Sequence, residues 1–252
     1  MAKHLKTSWS VAVQKFDTLI LLGRPASGKS EFIDFLKKLP EVDRLERFHV
    51  GPISELDDFV WLWQKFVEDD LWEASGHQRL CSKKVDHAYV MTDAALLDFC
   101  FSKFNEEFGR QPKEGTVFVE FARGAGDGGY QSALKKLSPT ILKDAAILFV
   151  FASYEEACRR NEARYQEKLR SSILAHKVPE EDMIRFGKEI DWLEITGRQP
   201  KGYLDVGGFK IPFVTMNNEP ELKPDNPELA ARYKSALDQL MTLTTNKQEE
   251  QS

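Results

Sequence analysis

Cysteine is scarce in this chain, and Cys81, Cys100 and Cys158 lie far apart with no CxxC spacing. A disulfide-stapled module is thereby excluded. Cys100 and Cys158 sit among apolar neighbours, so buried thiols in a reduced, intracellular compartment are expected. His77 and His87 have no metal-ligand spacing with any cysteine, which removes the usual zinc patterns. Long hydrophobic runs are missing too. The opening MAKHLKTSWSVAVQKF has no continuous apolar core, and no stretch approaches the roughly 20 residues of a membrane span. A cytoplasmic protein with no membrane partner is the expectation. Positive charge is not in excess, since the formal net charge is -5, and this argues against a general nucleic-acid binder. Internal repeats and a dividing linker are absent as well. The chain of 252 residues is therefore read as one core domain, 1–252, with 42% hydrophobic and 30% charged residues to build it.

What is present begins at Leu19 with LILLGRPASGKSEF. Asp17 to Leu22 reads as a short buried strand, its apolar run Leu19 to Leu22 bounded by a glycine. Gly23-Arg24-Pro25-Ala26-Ser27-Gly28-Lys29-Ser30 then matches GxxxxGK followed by Ser or Thr, the Walker A pattern. Beyond it Phe32, Ile33, Phe35, Leu36 and Leu39 recur at helical spacing until Pro40. Strand, loop and helix is the context this motif requires. The glycines let successive backbone N–H groups converge on phosphate oxygens at the start of a helix. Lys29 is expected to reach the β- and γ-phosphates of ATP, and Ser30 to ligate Mg²⁺.

Further along, Arg47 to Val50 is read as a second strand. Ser54 and Asp57 have capping-box spacing ahead of the apolar-periodic Phe59–Trp72 segment, so Asp57 is expected to cap a helix, with substrate binding as the alternative. Trp61, Trp63, Phe66 and Trp72 are read as helix packing. Residues 75–90 gather His77, Arg79, Lys83, Lys84 and His87 in a loop-like stretch, either a solvated loop or a hold on an anionic acceptor. A helix follows from Thr92 to Phe108. Thr116 to Phe121 is a strand that ends near Glu120, with Arg123 after it. Ligands gather at strand carboxyl ends in open α/β sheets, so Glu120 is a candidate to organise Mg²⁺ or take a proton. The alternative is a Glu120–Arg123 salt bridge. Gly124, Gly126, Gly128 and Gly129 suit a mobile closing loop or a plain turn. Ala145 to Ser153 is another strand. The helix after it carries Arg159, Arg160 and Arg164, of which Arg160 and Arg164 share a face and are candidate clamps on a moving phosphoryl group. Their alternative is a solvated face paired to Glu156 and Glu167. Lys210 to Leu222 supplies a fifth strand, Asn226 to Leu243 a helix, and about 244–252 a disordered tail.

Strands alternating with helices predict an α/β, three-layer P-loop NTPase fold: a five-stranded, mostly parallel sheet with helices on both faces. A helical insertion for the acceptor is expected at about 52–108 and a lid at about 155–205. The order of GRPASGKS, VFVEFARG, ILFVFAS with its arginine-bearing helix, and PFVTMNN resembles the adenylate-kinase-like branch of P-loop kinases, which includes nucleoside and nucleotide kinases. That resemblance implies an ATP-dependent phosphotransferase. Lys29 and the loop would hold the phosphates, Ser30 and Glu120 would serve Mg²⁺, and Arg123 would touch the acceptor. Arg160 and Arg164 would form the lid clamp, and Asn217 would lie near the adenine edge. EFARG departs from the DGFPR-like sequence of adenylate kinases, and the acceptor stays open among nucleosides, nucleotides, other small molecules and a protein hydroxyl. A monomer or homodimer is expected. The competing readings are a nucleotide-controlled interaction protein and a slow ATPase without a small-molecule acceptor. A GTPase is disfavoured, because MNNE stands where NKxD would be needed.

Overall fold

The computed structural model describes residues 14–85, 88–169 and 177–251. β1 (Thr18–Leu22) is buried along its whole length, as a central strand covered on both faces must be. The phosphate-loop sequence follows, and then α1 (Lys29–Lys38) turns Phe32, Ile33 and Leu36 inward. The next element corrects the sequence reading: Arg47 and Phe48 end a helix, α2 (Glu41–Phe48), and do not start a strand. The second strand is β2 (Ile53–Asp57), which is only partly buried and lies at the sheet edge. Its sequence ISELD therefore lacks the apolar run that marks a central strand.

α3 (Asp58–Ala74), a hairpin of β3 (Ser82–Val85) and β4 (Ala88–Met91), and α4 (Ala95–Phe108) come next. The expected 52–108 insertion thus contains a strand of the main sheet and a hairpin in place of a loop. After β5 (Thr116–Phe121) the chain forms a 3-10 turn at Ala125–Asp127, α5 (Gly129–Leu134), α6 (Pro139–Leu142) and β6 (Ala145–Phe151). α7 (Tyr154–Leu169), α8 (Glu180–Met183), a π-helical turn at Ile184–Lys188 and α9 (Trp192–Ile195) lead to the hairpin β7 (Lys201–Val206) and β8 (Phe209–Asn217). α10 (Pro227–Gln251) ends the described chain. It runs through most of the tail read as disordered, held there by Lys247, whose ammonium donates to the Lys143 carbonyl at 2.9 Å.

The main sheet has six strands, not the expected five, in the order β2-β5-β1-β6-β8-β7. All neighbours are parallel except β7 and β8. The extra strand is β7, whose sequence KGYLDV is polar on its exposed side and pairs only as the sheet's far edge. One face packs on α1, α2 and α10 through Phe32, Leu36, Phe48, Tyr233 and Leu237. The other packs on α4, α5 and α9 through Phe101, Phe104, Tyr130 and Trp192. A smaller third cluster joins Leu62 and Phe66 of α3 to Met91 and to Leu97 and Cys100 of α4. Among the described residues no helix is long and apolar enough to cross a membrane. Cys100 is buried as expected, whereas Cys158 is only half-buried. His87 and the first thirteen residues lie outside the described residues.

Candidate active site

The loop between β1 and α1 is built around two glycines. Gly23 has φ +150 and Gly28 φ +106, and a Cβ on Gly28 would stand 2.3 Å from Nδ2 of Asn218. A side chain there would meet both a forbidden backbone region and the group that holds the loop. Gly28→Ala is expected to cost about 1–3 kcal/mol, the usual range for a strained backbone position, and to weaken ATP binding. Thermal unfolding and ATP titration check both effects.

Behind the loop, the carbonyl of Ser27 accepts from Nη1 of Arg160 at 3.1 Å and from Nδ2 of Asn218 at 2.9 Å. Nη2 of Arg160 also donates to the Asn218 carbonyl at 2.7 Å, and its Nε donates to Glu156 at 2.8 Å. Arg160 is 1% exposed, so its guanidinium braces the back of the loop and is not turned into the cleft as a clamp. Arg164, one helical turn on, lines the cleft and pairs with Glu31 at 2.6 Å. Arg159 pairs with Glu156 and Glu221. Arg24 reaches the carbonyls of Gly187 at 2.6 Å and Ala152 at 2.8 Å, tying the loop to the π turn and to the end of β6.

Nζ of Lys29 donates to the carbonyls of Gly23 and Arg24 at 3.0 and 3.1 Å and lies 3.8 Å from Oε1 of Glu120. Ser30 Oγ donates to the same Oε1 at 3.5 Å. The carboxyl end of β5 therefore meets the phosphate loop, as the strand pairing of Leu21 with Glu120 requires. Glu120 does not pair with Arg123. Nη1 of Arg123 donates to Asp58 at 2.6 Å, while the guanidinium lies 4.9 Å from the ring centre of Phe101.

Asp57 caps α3 by accepting from the Phe59 N–H at 2.9 Å. It also stands beside Glu120 across the β2–β5 pairing. Burial is the main reason that Glu120 is pushed up to about 8; Lys29 opposes the shift, and Asp57 and Asp58 add to it. Burial and then the Asp58 charge push Asp57 up to about 6. Both folded values exceed the ordinary 4.5 and 3.8. The stability tied to these groups is therefore in place below those ordinary values and is lost as pH rises through about 6 and about 8. The melting temperature of the nucleotide-free protein is expected to fall between about pH 5 and pH 9, the range that brackets both titrations. Glu120→Gln should flatten the upper part of that fall. A melting temperature that rises over the range would contradict this account of the site.

Hard oxygen donors suit Mg²⁺. Ser30, with Glu120 behind it and Asp57 alongside, fits that ion: the acids outnumber the one lysine among them, and burial has raised both carboxyls. Among the described residues no group of three or more His, Cys, Asp or Glu side chains is disposed to hold a metal by itself, so phosphate oxygens would complete the coordination.

A cavity of about 410 Å³ opens from the loop. Gly28, Lys29 and Ser30 line it, together with Glu120, Asp57 and Asp58. Phe59, Leu62, Trp63, Phe66, Tyr89 and Phe186 supply its apolar wall. Trp63 is thus a cavity wall as well as helix packing. Asn217 is exposed and accepts from the Glu219 N–H at 3.1 Å; its neighbour Asn218 is the one that contacts the loop. The basic residues 79–84 do not face this cavity. Arg79 pairs with Asp70, Lys84 with Glu73 and Lys83 with Glu181. The glycine-rich turn after β5 is pinned and does not form a free flap, since Arg185 grips Asp127 through two hydrogen bonds and Asp191 accepts from the N–H groups of Tyr130 and Gln131.

Sequence reading favours capping over substrate binding for Asp57, finds no specific signal at Asp58, places Asn218 only at a strand end, and does not single out Asp182. The pair at 57–58 becomes legible as a strand-end pair only once β2 is placed beside β5. Asp182 and Asn218 sit in no recognisable spacing.

No family model matches the chain, and no curated protein matches it. Solved structures with a similar arrangement include a Chloroflexus aurantiacus protein at 12% identity, covering 88% of this chain and 99% of that one with TM-score 0.42. A sugar kinase from Janibacter sp. is similar at 10% identity over 91% and 98%, TM-score 0.40. Shikimate kinase from Acinetobacter baumannii, in complex with shikimate, is similar at 14% identity over 74% and 79%, TM-score 0.33. At this distance the functional reading has to come from the chain's own residues.

Proposed function

We propose that the protein transfers the γ-phosphoryl group of ATP to a hydroxyl of a small molecule seated in the cavity. One observation supports this above the others: a single cavity is lined by Gly28, Lys29 and Ser30, by the acids Glu120 and Asp57, and by the aromatic residues Phe59, Trp63, Phe66 and Tyr89. Positioning and charge stabilisation supply most of the rate in such a reaction. The acceptor oxygen bonds to the γ-phosphorus, the bond to the β–γ bridging oxygen breaks to leave ADP, and the hydroxyl proton passes to the Glu120–Asp57 pair. Lys29 neutralises the phosphate oxygens. Ser30 and Glu120 would hold Mg²⁺, which supplies further neutralisation of the phosphates when bound. Arg160 and Asn218 fix the loop, and Arg164 is the arginine at the cleft mouth. Asn217 is a weaker candidate for the adenine edge. The family resemblance to nucleoside and nucleotide kinases belongs to this proposal, as does a cytoplasmic location.

Labelled ATP incubated with the full-length protein and a panel of hydroxyl-bearing metabolites tests the reading. Transfer of label to a panel member is expected. ATP hydrolysis with no labelled acceptor would favour the nucleotide-controlled interaction protein instead. The exposed Phe59, Val60, Val67, Leu71 and Trp72 of α3 are the surface such a protein would present.

A further inference from the structure

Arg24 belongs to the phosphate loop, yet its side chain does not line the cavity that Pro25 and Ala26 line. It reaches to two other elements. Nε donates to the Gly187 carbonyl at 2.6 Å, in the π turn, and Nη1 donates to the Ala152 carbonyl at 2.8 Å, just past β6. The guanidinium carbon also lies 5.9 Å from the ring centre of Phe151. One side chain thus joins three segments. A guanidinium suits that task because its donors are fixed in a planar fork and bond two carbonyls at once, which a point-like ammonium does not.

The π turn at Ile184–Lys188 is the second observation. Single π turns recur at functional sites, and this one is held from several sides. Gly187 packs on the loop, since a Cβ on it would lie 3.8 Å from Cδ of Pro25. Arg185 grips Asp127 through two hydrogen bonds. A Cβ on Gly124, just past β5, would overlap the Arg185 carbonyl oxygen, so those two backbones are in direct contact. Phe186 stands between Arg185 and Gly187 and lines the cavity. The turn whose carbonyl Arg24 holds is therefore the turn that supplies part of the apolar wall.

We propose that Arg24 is a positioning residue: by binding the Gly187 carbonyl it fixes the π turn, and through Phe186 it sets the acceptor in line with the γ-phosphate. The inference rests on the phosphotransferase reading and adds to it a side chain that acts on the acceptor from within the nucleotide loop. A misplacement of about 1 Å costs on the order of 10²-fold in rate, so the Arg24 side chain governs kcat without contacting the acceptor. The same link runs the other way. A nucleotide that orders the loop also orders the turn.

The test uses the full chain, MgADP as the nucleotide probe, and the panel member that takes label from ATP in the wild-type protein. Arg24→Met removes the donors but keeps an unbranched apolar chain over Phe151. Arg24→Lys keeps the charge but not the fork, and carries the test should Arg24→Met fail to fold in thermal unfolding. Both are expected to lower kcat by about 10–10²-fold, with MgADP affinity within about threefold of wild type. Gly124→Ala displaces the turn from its other side and should lower kcat in the same way, again with nucleotide affinity kept. Amide hydrogen exchange over residues 182–188 gives a readout that a merely structural role would not move. MgADP is expected to slow it in the wild type and to leave it unchanged in the Arg24 variants. Unchanged kcat in both Arg24 variants overturns the inference and leaves the phosphotransferase standing, as does exchange that MgADP slows equally in all the proteins. Nucleotide affinity that falls as far as kcat makes Arg24 a phosphate ligand and overturns it too. A wild-type chain that labels no acceptor removes the phosphotransferase and this inference with it.

Discussion

Lys29→Ala is expected to reduce phosphoryl transfer by about 10²–10⁴-fold, the range for removing a principal charge-stabilising group from a phosphoryl-transfer site. Lys29 is 6% exposed, its ammonium lies on the loop carbonyls, and it is the cation closest to Glu120. Removing it takes away the charge that the proposed function assigns to the β- and γ-phosphates and leaves the buried Glu120 without its nearby cation. ATP affinity should fall as well, most visibly at low Mg²⁺. Isothermal titration with ATP and a transfer assay measure the two losses. Lys29→Arg keeps the charge but not the reach, so it should recover little. Unchanged ATP affinity in Lys29→Ala would refute the phosphate-loop reading.

The second large effect concerns stability. Asp58 and Arg123 are 6% and 2% exposed and are joined at 2.6 Å. Removing one member of a buried ion pair strands the other, typically at about 3–5 kcal/mol. Asp58→Ala is therefore expected to destabilise the protein on that scale. Replacing both, as Asp58→Leu with Arg123→Met, should cost much less than the two single changes combined. Denaturant unfolding of the four proteins in the cycle gives the coupling. If the two single changes simply add, the pair is no more than a neighbourly contact. Because Asp58 begins the helix whose aromatic residues wall the cavity, the single variant should also lose acceptor binding before it loses ATP binding.

Much of this was legible in the sequence, for reasons that differ between elements. β1, β5 and β6 lie inside the sheet, and the apolar runs of β1 and β6, and of β5 up to Glu120, announce them. The glycines and lysine of the phosphate loop have few other uses at that spacing. β2 and β7 are edges, half polar, and show no comparable pattern; α2 replaced an expected strand for the same reason. Glu120 was visible as an acid at a strand end. Its neighbour Asp57 was not, because pairing between residues 57 and 120 is set by strand order, which no local window contains. The role of Arg160 was misjudged because spacing along a helix tells which face a side chain shares. It does not say whether that face looks into the cleft or onto the back of the loop.

The small hairpin β3–β4 has a consequence of its own. It shares no strand with the main sheet, and Met91 packs in a cluster separate from the two that sandwich the sheet. Changes at Tyr89 and Met91 are thus expected to reshape the cavity wall while barely disturbing the loop between β1 and α1. On the proposed function, a laboratory library confined to that ribbon is the economical place to look for altered acceptor preference.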